Sequence, residues 1–149
     1  MTHLPDVNDA IKLAYEKHYQ EVDQAGLPYI THPMRVMLSV KAKGYDEDHQ
    51  IVAILHDVVE NSDVTLQDLR DAGYKDRVVN ALALLTKTKG EPNVVYYQRI
   101  RGDEDGLALV VKLADIEDNT DPNRLVLLDL DTRARLTDKY TVAVKALTE

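Results

Sequence analysis

Apolar residues recur along this chain at intervals of three and four, the spacing of amphipathic helices, and no segment makes a convincing strand. Residues 7–22 place Val7, Ala10, Ile11, Ala14, Tyr15 and His18 on one helical face, and Gly26 follows as a terminator. Residues 28–33, PYITHP, read as an extended connector, because Pro33 disfavours helical geometry at His32 and suits the first position of a new helix. That helix runs over 34–43 on Met34, Val36, Met37, Leu38 and Val40, and Gly44 stops it. Asp46 caps a third helix, with Glu47 and Asp48 favourable in its first turn. This helix carries residues 51–61, IVAILHDVVEN, whose apolar positions wrap most of the circumference. Such a helix belongs at the centre of a fold.

Further on, Thr65 and Asp68 resemble a capping box that opens a short helix ending at Gly73. Residues 76–85 and 94–101 read as helices, separated by a loop containing Gly90 and Pro92. An acidic turn over 102–106 leads into LALVVKLADIEDN, residues 107–119. Its first eight residues alone would suit a buried strand, but the length favours a helix, with Asp115 and Asn119 one turn apart on one face. Residues 120–122 break it, and 131–147 form a last helix on Leu136, Tyr140, Val144 and Leu147. The expected fold is all-α, with seven to eight helices in one domain over residues 1–149. There are no repeats and no linker.

Composition narrows the partners. Cys is absent from the 149 residues, so disulfides and thiolate metal sites are excluded. The N-terminal MTHLPDVNDA has neither the basic start nor the apolar core of a signal peptide, and no run approaches the ~20 apolar residues of a membrane span. A cytoplasmic protein with no membrane partner is expected. The formal net charge of -8 argues against a nucleic-acid polymer as ligand. A small phosphorylated molecule remains compatible, because a bound cation inverts the charge of a single pocket.

Within the apolar run 51–61, His56 and Asp57 are out of place, since buried charges are normally paired or bound to a metal. Two other positions share that character: His32 beside Pro33, and Asp115 after the apolar run of its helix. Two imidazoles and two carboxylates suit a divalent cation such as Mn²⁺, Fe²⁺, Co²⁺ or Ni²⁺. Each residue also has an ordinary reading: a hydrogen-bonded structural His, an Asp57 paired with Arg35 or a Lys, an Asp115 exposed at a helix end. His18 reads most simply as a histidine at the edge of the core. Glu60, one helical turn beyond His56 and Asp57, is placed to act on a water at such a centre. Asn119 either presents its amide to a ligand or caps its helix.

His32, His56, Asp57 and Asp115, in the contexts YITHP, AILHDVVEN and VKLADIEDN, resemble the HD-domain metal-dependent phosphohydrolases. More narrowly, the chain resembles the hydrolase domain of RelA/SpoT-type alarmone enzymes and their small single-domain relatives. The similarity covers nearly the whole length. It implies a compact helical fold around one divalent metal, usually Mn²⁺, held by His32, His56, Asp57 and Asp115. It further implies catalytic roles at Glu60 and at the next position, here Asn61, and nucleotide contact by Asn119. The implied reaction hydrolyses the 3′-pyrophosphate of guanosine tetraphosphate (ppGpp), giving GDP and pyrophosphate. Alternatives are another nucleotide or small phosphate ester as substrate, or a nucleotide sensor without turnover. Two positions depart from the family pattern. Asn61 replaces an acidic residue and cannot accept a proton, which leaves Glu60 to act alone. Asp23-Gln24 stands where the family has a basic pair that contacts the nucleotide. A chain of this length is expected to carry no fused alarmone synthetase.

Overall fold

The computed structural model describes residues 4–149, so the first three residues of the N-terminal stretch discussed above lie outside the description. Among the described residues there are ten helical segments and one isolated bridge, between Val22 and Pro28. They are α1 (Val7–His18), α2 (Thr31–Ala42), α3 (Glu47–Leu55), α4 (Val58–Asn61), α5 (Leu66–Asp71), α6 (Asp76–Leu85), α7 (Asn93–Arg101), α8 (Leu107–Asn119), α9 (Pro122–Leu125) and α10 (Leu130–Thr148). The all-α architecture is as the periodicity predicts.

Local chemistry sets several of the helix starts. Asp6 and Asp9 form a reciprocal capping box at α1, and Thr65 and Asp68 do the same at α5. Asp46 caps α3 by accepting the His49 N–H. Gly106, at φ +77°, turns the chain into α8 in a left-handed conformation that a side chain would strain.

The third helix is central, as its all-round apolar surface predicts. Val52, Ala53, Ile54 and Leu55 are fully buried, and α3 packs against α1, α2, α6 and α8. The α8 segment is helical along its whole length. Its buried residues Leu107, Ala108, Val111, Ala114 and Asp115 follow a helical repeat that no strand could bury on one face. No helix among the described residues is long and apolar enough to cross a membrane.

Four boundaries differ from the sequence reading. Helix α1 ends at His18 rather than near residue 22, and the chain turns there, with Glu21 N–H donating to the His18 carbonyl. Helix α2 starts at Thr31, so His32 and Pro33 lie in its first turn rather than in an extended connector. Proline is tolerated there because first-turn N–H groups have no helical acceptor to lose. The run 51–61 is two helices, broken at His56 and Asp57. The His56 ring donates from Nδ1 to the Ala53 carbonyl at 2.5 Å, and so competes for a helix acceptor where the helix stops. Finally, Pro122 opens the short α9 instead of merely ending α8, with Asp121 as its cap.

Candidate metal centre between two cavities

The first turn of α2, the α3–α4 break and the middle of α8 meet at one point. His32 Nε2 lies 2.8 Å from Asp115 Oδ1. His56 Nε2 lies 3.1 Å from Asp57 Oδ2 and 3.3 Å from Asp115 Oδ1. One ligand atom each from His32, His56 and Asp57 falls within a 4.8 Å span. Ligand atoms about 2.1 Å from a divalent ion and at right angles to one another lie about 3 Å apart, so these spacings fit a shared cation. His32, His56 and Asp115 are each less than a tenth exposed.

The protonation pattern fits the same conclusion. Because Nδ1 of His56 donates to Ala53, the neutral ring presents its lone pair at Nε2. That atom is buried, has no well-formed hydrogen bond, and faces two carboxylates. A lone pair aimed at two anions calls for a cation between them. Without a cation the same two carboxylates favour a proton on Nε2, holding the His56 pKa well above the ordinary imidazole value against its burial, and a bound cation would take that proton's place. Burial would raise the pKa of Asp57 too, yet His56 beside it brings it down to about 2. Asp115 is likewise held well below the carboxylate range, against its burial, by Lys112 and His56. The pocket is therefore built for positive charge.

A second layer orients these groups. His32 Nδ1 donates to Asp118 Oδ2 at 2.6 Å. Asp118 also accepts from Arg35 Nε at 2.8 Å and Arg124 Nη1 at 2.8 Å. The Tyr29 hydroxyl donates to Asp57. Lys112 Nζ reaches Asp115 Oδ2 at 3.1 Å, and Asn119 Nδ2 donates to Asp115 Oδ1 at 3.1 Å. Carboxylate partners of this kind fix the ring orientation of a ligating histidine. The sequence reading gave no role to Asp118 or Tyr29. A usable signal was present: Asp115 and Asp118 are three apart on α8, as His32 and Arg35 are on the facing α2. Asp57 pairs with Tyr29 and His56 rather than with Arg35, which is engaged by Asp118.

The four residues form a wall between two cavities. The larger, of about 370 Å³, is lined by His32, Asp57, Asp115 and Asn119 together with Leu125, Leu127, Leu128 and Tyr140. The smaller, of about 30 Å³, lies among His56, Asp57, Glu60, Tyr96, Lys112 and Asp115. It has room for about one water. Glu60 thus sits beside the wall, on α4, and its pKa is raised by partial burial and by Asp57. Asn61 is exposed and is not among the residues lining either cavity.

The remaining candidates take other places. His18 is fully buried and its Nδ1 lies 3.0 Å from Glu21, the core-edge role expected of it. Asp23 and Gln24 both line the larger cavity. Of the basic residues that might offset Asp23, Lys112 lines both cavities, while Lys17 pairs with Asp63 and Lys87 donates to Asn93. Arg124, which the sequence reading did not consider, also lines the larger cavity.

The chain is similar to several known proteins. The family model described as "HD domain" matches residues 10–95, more than half of the chain. A guanosine-3′,5′-bis(diphosphate) 3′-pyrophosphohydrolase of Aquifex aeolicus (strain VF5) is 32% identical over 123 residues, covering 78% of this chain and 18% of that protein. A GTP pyrophosphokinase of Streptomyces coelicolor (strain ATCC BAA-471 / A3(2) / M145) is 31% identical over 118 residues, 75% of this chain and 14% of its own length. The chain therefore spans less than a fifth of these curated relatives. A solved structure described as "A metazoan ortholog of SpoT hydrolyzes ppGpp and plays a role in starvation responses" superposes with a TM-score of 0.74 at 26% identity. That match covers 97% of this chain and 85% of the other.

Proposed function

This chain belongs to the HD-domain family, and from that premise we propose that it is a metal-dependent pyrophosphohydrolase acting on the 3′-pyrophosphate of ppGpp. The observation that carries this reading is the convergence of His32 Nε2, His56 Nε2, Asp57 and Asp115 Oδ1 on one point beside a cavity of about 370 Å³. The relatives named for ppGpp hydrolysis support the substrate. The single buried core, to which every helix but α9 contributes, supports reading residues 1–149 as one domain.

In this reading His32, His56, Asp57 and Asp115 hold one divalent cation, Mn²⁺ by resemblance to the family. When bound, the cation polarises a phosphate oxygen and acidifies water. The remaining roles fall to the protein. Glu60, at the smaller cavity, accepts the proton of the attacking water, and its raised pKa keeps it a competent base nearer neutral pH. Lys112 keeps Asp115 ionised and adds positive charge where the phosphate enters. Asn119, tied to Asp115 through its Nδ2, turns its amide toward the larger cavity. The apolar part of the lining, with Leu127, Leu128 and Tyr140, takes the base and sugar. Asn61, exposed and lining neither cavity, takes no part in this mechanism.

The test is direct. Purified protein with Mn²⁺ is incubated with ppGpp, nucleoside triphosphates and NADPH, and phosphate and pyrophosphate release are followed. Pyrophosphate release from ppGpp is expected, and it should disappear in Asp57→Ala together with metal binding. Nucleotide binding without turnover of any substrate would reject the enzyme reading.

A further inference from the structure

One ion pair joins the α1–α2 turn to α9 beside the larger cavity, and its two halves are unequally tied. Asp23 Oδ1 accepts the backbone N–H groups of Ala25 and Leu27 at 2.9 and 3.0 Å. That oxygen builds the turn. Asp23 Oδ2 reaches Arg124 Nη2 at 3.4 Å, the far limit of a hydrogen bond. Arg124 is fixed through its other terminal nitrogen. Nη1 donates to Asp118 Oδ2 at 2.8 Å and to Asn119 Oδ1 at 3.0 Å. The same Nη1 lies 3.3 Å from His32 Nδ1, so the guanidinium stands one imidazole ring from the convergent ligand atoms.

The cavity has few cations to offer an anionic ligand. Asp23, Asp57 and Asp115 line it, and Lys112 is already paired with Asp115 at 3.1 Å. Arg124 is anchored at one nitrogen and held loosely at the next. A guanidinium presents parallel N–H donors that match phosphate oxygens, and a phosphate carries more charge than a carboxylate. Exchanging the 3.4 Å contact for a phosphate oxygen leaves both the turn and the Asp118 anchor intact.

We propose that Arg124 is a phosphate-binding residue of the larger cavity and that Asp23 is a place-holding carboxylate which the incoming phosphate displaces from Nη2. Asp23 then acts as a threshold. Ligands with too little charge to compete for Arg124 meet a cavity mouth already neutralised. The identity of the physiological ligand rests on the hydrolase reading above; the exchange at Arg124 does not.

The test separates the two. Imidodiphosphate, a non-hydrolysable pyrophosphate analogue, is titrated calorimetrically into the protein in a fixed excess of Mn²⁺, with guanosine as the uncharged control. This reads anion binding without turnover, so its outcome is independent of whether ppGpp is hydrolysed. Asp23→Asn keeps the Oδ1 acceptor that builds the turn. It is expected to tighten imidodiphosphate binding by about 3- to 10-fold and leave guanosine unchanged. Arg124→Gln should weaken imidodiphosphate by about tenfold. In the Arg124→Gln background, Asp23→Asn should change affinity less than about twofold, because the place-holder has nothing left to release. Should Arg124→Gln fail to fold, Arg124→Lys replaces it, with a correspondingly smaller effect of Asp23→Asn expected. Unchanged or weakened binding in Asp23→Asn overturns the proposal. So does equal tightening with and without Arg124, which would make Asp23 a general repulsive charge.

Discussion

Asp118 touches no ligand in the proposed mechanism, yet four donors converge on its carboxylate: His32 Nδ1, Arg35 Nε, Arg35 Nη2 and Arg124 Nη1, at 2.6, 2.8, 3.2 and 2.8 Å. Asp118→Asn keeps the shape, removes the charge and turns an NH₂ donor toward at least one of those donors. Burial alone would raise the pKa of Asp118, but His32 and Arg35 bring it from 3.8 to about 2. A depression of that size corresponds to about 2 kcal/mol of folding stability. Adding the donor now left facing a donor, the variant should lose about 2–4 kcal/mol at pH 6 by urea denaturation. The pH dependence has a definite sign. A depressed carboxyl pKa stabilises above its unfolded value, near 4, and that stability is lost as pH falls through about 2. The gap between wild type and variant should therefore be full at pH 6 and shrink between pH 4 and 2. Because His32 loses the partner that fixes its ring, Mn²⁺ affinity measured by calorimetry should fall about 10- to 100-fold. Equal urea midpoints at pH 6, or unchanged Mn²⁺ affinity, would refute the reasoning.

Three further outcomes are expected. Glu60→Gln should lower kcat by about 10²–10⁴-fold while holding Mn²⁺ affinity within about threefold. In the wild type, kcat should fall as pH drops through a pKa above the ordinary 4.5 of Glu60, where the base becomes protonated, and that limb should vanish in the variant. Tyr29→Phe removes the hydroxyl donor to Asp57 and should weaken Mn²⁺ by about tenfold in a calorimetric titration; an unchanged affinity would mean the bond does not orient the ligand. Leu82→Ala, in the fully buried part of α6, should cost about 2–5 kcal/mol in urea denaturation and leave metal stoichiometry unchanged.

Much of this was readable in the chain because helical burial leaves a periodic mark. The α6 and α8 boundaries follow from where their apolar residues begin and end, and the central place of α3 follows from its apolar surface. His32, His56, Asp57 and Asp115 were visible as polar residues in apolar or restricted surroundings. What stayed hidden depends on contacts between distant segments. The break at His56 and Asp57 arises when a side chain takes a backbone acceptor, which periodicity does not record. Asp118 looks like any exposed acid near a helix end until α2 brings His32 and Arg35 against it. Asp23 reads as a repulsive charge by composition, but its oxygens are occupied by its own turn and by Arg124 from a helix a hundred residues away. Asn61 followed its sequence neighbour Glu60 into the candidate set, although the short α4 leaves it exposed and apart from both cavities.

The break between α3 and α4 also bears on how the protein acquires its ion. On an unbroken helix, successive side chains diverge by about 100°. The turn at His56 and Asp57 lets two neighbours point at one centre as a chelating pair. That pair is rooted in Ile51 to Leu55, all buried in a core to which every other helix except α9 contributes. The scaffold is held by hydrocarbon contacts that no metal ligand makes. Small domains assembled around an ion couple loading to folding. Here the chelating residues are pre-positioned, so little conformational entropy is lost on capture, and a chelator should empty the centre while leaving the helices standing. In the proposed reading, metal supply then governs whether the protein is active, not whether it persists.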